Sequence, residues 1–187
     1  MSTRQGYTTF QIIKALNIPR ERLKDWMEKG FVKPSLQQAR GKGTKALFSL
    51  LDVYSLALFK HLIEECHFSR DAGSQFSSLW LEYIYNFPYE EGKEIPDRAI
   101  SDLLSNELIF ISNREADVIN TSDKEKQEKK DKRKMMYSPF SFHGKSEDLF
   151  NSITNHLKPS VEKNTWEDIH IVNFKKIREK VDAALTR

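Results

Sequence analysis

His61, Cys66 and His67 are the tightest group of metal-ligating side chains in the 187-residue chain. They do not complete a zinc pattern, because residues five apart stand about 140° round a helix from each other. His143, His156 and His170 are scattered. Glu64–Glu65 and Glu90–Glu91 are adjacent pairs without the opposed placement of an acid and a base, and solvation explains them. GKGT at 41–44 resembles the end of a nucleotide loop but lacks its preceding glycine spacing. Neither GxSxG nor CxxC occurs. The expectation is therefore no enzyme, no bound metal and no cofactor. What remains is charge chemistry: Arg20, Arg22 and Lys24 in one short stretch, then Arg40, Lys42 and Lys45 in the next. These are side chains suited to phosphate and base edges.

The elements that must position them are short. TTFQ at 8–11 reads as a capping box, with Thr8 accepting from first-turn amides and Gln11 reaching back. Phe10, Ile13 and Leu16 recur at helical spacing, and Ile12 adds to the apolar side. Asn17 suits the end of that helix. Pro19 disfavours a helical conformation at Ile18 yet is tolerated in the first turn of the next helix. The second helix is expected from about Pro19 to Glu28, buried through Leu23, Trp26 and Met27 and terminated at Gly30. Neither helix could stand alone in water, so a third element must complete the core.

FVKPS at 31–35 and ALFSL at 46–50 read as extended segments around QQARGKGTK at 37–45, which is basic, contains glycine and lacks large apolar residues. Together they predict a β-hairpin wing over 36–47, with Arg40, Lys42 and Lys45 on its loop. Ser49 and Asp52 form a second capping-box pattern. Val53, Leu56, Ala57, Phe59 and Ile63 then mark a third helix ending near Glu65. The break at 17–19 re-aims the chain so that the second helix presents a basic first turn and its free amides outward.

Charge is unevenly divided. Residues 1–50 hold ten Lys/Arg against three Asp/Glu, a balance of +7, and the rest balance at −4, giving +3 overall. A basic end on a mildly acidic body fits a polyanion-binding head. With 39% apolar residues, 30% charged and twelve Phe, the chain is a folding one. It has no apolar run of 18 residues and no signal-like stretch, so no membrane span and a cytoplasmic location are expected. The single cysteine excludes an internal disulfide framework and fits a reducing compartment.

YTTFQIIKALNIPRERLKDWMEKGFVKPS (7–35), LFSLLDV (47–53) and HFS (67–69) together resemble the MerR-like family of bacterial winged-helix transcription regulators. The resemblance covers about residues 6–70. It implies a recognition helix carrying Arg20, Glu21, Arg22 and Lys24 to DNA, and a wing carrying Arg40, Lys42 and Lys45. It also implies a homodimer on double-stranded DNA, with the transcription machinery as a further partner.

Beyond the head, Phe76, Leu79, Trp80, Tyr83, Ile84 and Phe87 predict an amphipathic helix over 70–87 whose aromatic stripe is core or subunit contact, with an effector pocket as the alternative. A short helix is expected at 97–105, strands at 108–112, 138–142 and 168–172, and helices at 146–157 and 174–185. TSDKEKQEKKDKRK at 121–134 reads as a solvated loop or charged helix end. The last helix either caps a second domain or pairs across a dimer. The expected fold is mixed α/β: a winged helix-turn-helix over 1–68 and a small α/β or α+β dimerisation or regulatory body over 69–187. The expected function is sequence-specific, dimeric DNA binding in transcription regulation. The rival is a protein-interaction adaptor, which a dominant apolar patch around Phe76, Trp80 and Tyr83 would favour.

Overall fold

The computed structural model of the chain describes residues 6–39, 41, 44–85, 108–114, 136–142, 151 and 166–186. They are mostly helical, with one two-stranded and one three-stranded sheet, a mixed α/β composition in the broad sense. Contacts divide the chain into two compact units, Met1–Ser105 with Asn173–Arg187, and Asn106–Val172. This division differs from a boundary at 68/69, because the helices after that point and at the chain's end pack on the same central helix as the first fifty residues.

The first unit starts with strand β1 (Tyr7–Thr8) and helix α1 (Thr9–Leu16). The expected capping box is formed: the Gln11 amide donates to Thr8 Oγ1 at 3.4 Å and the Thr8 amide to Gln11 Oε1 at 2.9 Å. Asn17 ends α1 in the left-handed region at φ 49°, a conformation that Asn tolerates better than most residues. Pro19 then precedes α2 (Arg20–Glu28), and Gly30 follows it at φ 77°. The two helices are thus separated where the sequence indicated. One assignment changes. Ile12 and Leu16 are buried, whereas Phe10 is 75% exposed. Two residues along a helix are about 160° apart, so α1 cannot bury both Phe10 and Ile12 against one neighbour.

Residues 31–35 do not form the expected strand. The amides of Phe31 and Val32 donate to the Trp26 carbonyl at 2.9 and 3.4 Å, closing the end of α2. The Ser35 amide donates to Asp52 Oδ2 at 2.9 Å, and Pro34 has no amide hydrogen. Too few groups are left for a ladder. Strand β2 (Leu47–Phe48) instead pairs antiparallel with β1, Tyr7 opposite Phe48 and Thr8 opposite Leu47. The neck of the basic loop is closed by Gln37 and Leu47, which exchange amide-to-carbonyl bonds of 3.1 and 2.9 Å.

Helix α3 (Leu50–Glu64) is central. It is buried on successive residues, Leu51 to Tyr54 and Leu56 to Phe59, so neighbours cover it on every side. Its start carries the second expected capping box, Asp52 N to Ser49 Oγ at 3.1 Å and Ser49 N to Asp52 Oδ2 at 2.8 Å. Trp26 from α2 meets Phe59 edge-on, with centroids 5.0 Å apart. Helix α4 (Arg70–Tyr85) approaches closely at Gly73, where a Cβ would meet Ile63 Cγ2 at 3.0 Å. Phe76 and Trp80 are core residues.

The helix at the end of the chain, labelled α5 (Phe174–Leu185), packs on α1 and α3 of the same unit. Phe174 lies 4.8 Å from Trp80 and 6.3 Å from Tyr54 between ring centroids, and the Tyr54 hydroxyl donates to Asp182 Oδ1 at 2.5 Å. Burial, reinforced by that hydrogen bond to Asp182, raises the Tyr54 pKa well above its ordinary value of 10, so it remains a donor across the working range.

The second unit contains β3 (Leu108–Arg114), β4 (Met136–Phe142) and most of β5 (Trp166–Asn173), in the order β4-β3-β5. Strands β3 and β4 are antiparallel, from Leu108 opposite Phe142 to Arg114 opposite Met136. Pro139 sits in β4, at the edge of the described sheet, where a missing amide is tolerated. All three strands expected in this part of the sequence are present. The segments 97–105 and 121–134, and 146–157 apart from Asn151, lie outside the described residues. No described helix is long and apolar enough to cross a membrane.

A double-mutant cycle tests the attachment of α5. Tyr54→Phe and Asp182→Ala should each lower unfolding free energy in urea by about 1 kcal/mol, and the double variant should lose much less than the sum, because each removes the same bond. Additive losses would show that the bond contributes nothing.

Candidate nucleic-acid interface

Only Leu23 and Trp26 of α2 are buried, so they define its inward side. At about 100° per residue, Glu21 and Glu28 lie near the outward centre, Lys24 and Asp25 about 50° to either side, Arg20 on the flank beyond Lys24 and Arg22 on the flank beyond Asp25. Arg20 and Lys24, one turn apart, share a side. No side chain caps the first turn of α2, since Pro19 occupies that position. Its leading amides are therefore free to meet an anion at the positive end of the helix dipole.

The ion pairs redistribute the charge that the sequence shows as a cluster. Arg22 Nη1 lies 2.7 Å from Glu64 Oε1 on α3, and Glu64 also receives Lys60 at 3.4 Å. Asp25 lies 2.7 Å from Lys29 and 3.4 Å from Arg70. Lys24 reaches Glu28 at 3.5 Å, with its side chain 72% exposed. Arg20 is exposed and has no ion pair among the described residues. Exposed pairs of this kind are worth about 0.2–1 kcal/mol, so a phosphate could displace Glu64 from Arg22 or Glu28 from Lys24 at small cost.

Of the basic-loop residues, Lys45 is exposed, as are Gln38, Ala39, Gly41 and Thr44. Arg40 and Lys42 lie outside the described residues. Gly41 has φ 91°, which favours glycine at that turn, and its carbonyl accepts from the Thr44 hydroxyl at 3.1 Å. The structure thus brings Arg20, Glu21, Arg22 and Lys24 onto one exposed helix and leaves Lys45 on a separate exposed loop. Sequence reading missed the roles of Glu64 and Asp25. Their signal is long-range, since Arg22 and Glu64 are 42 residues apart and Arg70 and Asp25 are 45 apart.

His61 and Cys66 stand at the other end of α3; among the described residues no group of three or more His, Cys, Asp or Glu is placed to hold a metal ion. Burial lowers the His61 pKa, Glu65 opposes this, and Lys180 adds to it. Burial, then the charge of Glu65, raises the Cys66 thiol, which makes it a poor thiolate. No protein-family model matches the chain, and no curated protein matches it.

The lowered His61 pKa carries a sign. The folded state binds its proton less readily than the unfolded state, so the contribution is intact above about pH 6.5 and declines as pH falls through the folded value. Replacement by Gln should flatten the acid side of the stability–pH curve between about pH 7 and 5. Parallel curves for the parent and His61→Gln would contradict this.

Proposed function

We propose that the chain is a sequence-specific, double-stranded DNA-binding regulator whose first unit works as a winged helix-turn-helix head of the MerR-like kind. The observation that carries this reading is the break at Asn17–Pro19. It starts α2 with an uncapped, exposed turn bearing Arg20, while Leu23 and Trp26 hold the opposite side in the core. Arg20 and Lys24 read or grip one edge of a groove. Arg22 joins them when phosphate replaces Glu64. Lys45, with Arg40 and Lys42 on the same basic loop of the sequence, clamps the flanking backbone. Glu21 and Glu28 near the outward centre oppose phosphate and so favour a restricted docking angle over indiscriminate binding. The protein acts in the cytoplasm as a homodimer, its two heads on a two-fold-symmetric site, with the transcription machinery as a further partner. The reading needs no enzyme activity, metal or cofactor.

A protein-interaction adaptor is the second reading, and the exposed Phe10 favours it. Its support no longer includes Phe76 and Trp80, which are interior.

Selection from random duplexes, followed by affinity measurement across a salt series, tests the proposal. A consensus with two-fold symmetry should emerge. Arg20→Ala should lose about 1–3 kcal/mol and relax preference at a defined base position. Lys45→Ala should weaken all duplexes alike and reduce the logarithmic salt slope by about 0.9. Absence of duplex binding at low salt, with a protein partner retained in a Phe10-dependent manner, would establish the adaptor instead.

A further inference from the structure

Glu21 is the acidic residue in the first turn of a helix whose outer side otherwise suits a polyanion. With Leu23 and Trp26 buried, it projects within about 10° of the direction opposite their midpoint. It is exposed and has no hydrogen bond or ion pair among the described residues. The other carboxylates of α2 are occupied. Asp25 faces Lys29 at 2.7 Å and Arg70 at 3.4 Å, and Glu28 faces Lys24 at 3.5 Å. Glu21 is therefore the foremost group at the end of α2 that enters a groove first, and its acceptors are unspent.

A carboxylate so placed decides which base can stand before it. Ionised, it only accepts hydrogen bonds, so it needs a donor on the groove floor. In the major groove guanine offers N7 and O6, and thymine O4, all of them acceptors. Adenine offers N6–H but sets the N7 acceptor beside it, against the second carboxylate oxygen. Cytosine offers N4–H with no acceptor beside it. A desolvated charged acceptor left without a donor costs more than a neutral one, so the wrong base is penalised as well as the right one rewarded.

We propose that Glu21 is a specificity-determining residue, which selects cytosine at one position of the duplex by accepting a hydrogen bond from its N4 amino group. This rests on the reading of the first unit as a DNA-binding head. It goes beyond repulsion from phosphate, which disfavours every sequence alike.

Selection from random duplexes with the full chain and with its Glu21→Ala and Glu21→Gln variants tests the proposal. Glu21 is exposed, so neither replacement removes a core contact. The parent should show a cytosine position that becomes unselective in Glu21→Ala and turns to adenine in Glu21→Gln, whose amide matches adenine N6 and N7. Replacing that cytosine by 2-pyrimidinone, which lacks the amino group, should weaken the parent by about tenfold and leave Glu21→Ala unchanged. An unchanged consensus in both variants, with all duplexes bound more tightly, would make Glu21 a phosphate repellent alone and overturn the proposal. Equal losses on 2-pyrimidinone for the parent and Glu21→Ala would overturn it too. Failure of the parent to bind any duplex at low salt would instead overturn the DNA-binding reading, and this inference with it.

Discussion

The contact of Trp26 with Phe59, together with buried Leu23, is what fixes the direction of α2. Nine residues of such polar composition have little tendency to remain helical alone, so the outer face exists only because the inner one is held. Removing a buried Trp side chain typically costs about 3–5 kcal/mol, several times the value of any ion pair on that face. Phe59 in turn belongs to a helix buried on all sides, covered by α4 at Gly73 and by α5 through Phe174, Tyr54 and Asp182. The end of the chain is therefore part of the platform that aims its beginning.

Electrostatics on that platform work by exchange. The +7 balance of the first fifty residues suggests an unbroken basic surface. The folded chain instead pairs Arg22 with Glu64, Lys24 with Glu28 and Asp25 with both Lys29 and Arg70. These partners are weak and partly solvated, so they orient the cations without locking them. Arg20, which has no ion pair to a described residue, is the cation at the start of α2 that needs no such exchange. On the proposed reading, Glu21 and Glu28 would repel wrongly angled polyanions, a requirement for discrimination that attraction alone does not meet.

Features encoded over three or four residues were legible in the sequence. The capping boxes at Thr8–Gln11 and Ser49–Asp52, the stop at Asn17 and the left-handed Gly30 follow from local hydrogen bonding and backbone sterics. Phe10 misled because its spacing to Ile13 fits a stripe, while the actual stripe runs through Ile12 and Leu16. The segment 31–35 looked extended, but its amides are claimed by Trp26 and Asp52. Neither that competition nor the Arg22–Glu64 pair leaves a local pattern. The docking of α5 is the same kind of case: its amphipathic period showed that one face is buried, and nothing in the period says against what.

The central claim is that the outer face of α2 meets duplex DNA while the core contacts behind it stay fixed. Amide NMR of the full chain, titrated with a selected duplex, tests this most directly. The account predicts saturable shifts at Arg20 to Lys24 and around Lys45, with the Leu56–Leu62 stretch of α3 essentially unmoved. Shifts confined to residues away from α2 and the basic loop, or loss of the Trp26 and Phe59 signals' native positions on binding, would contradict it.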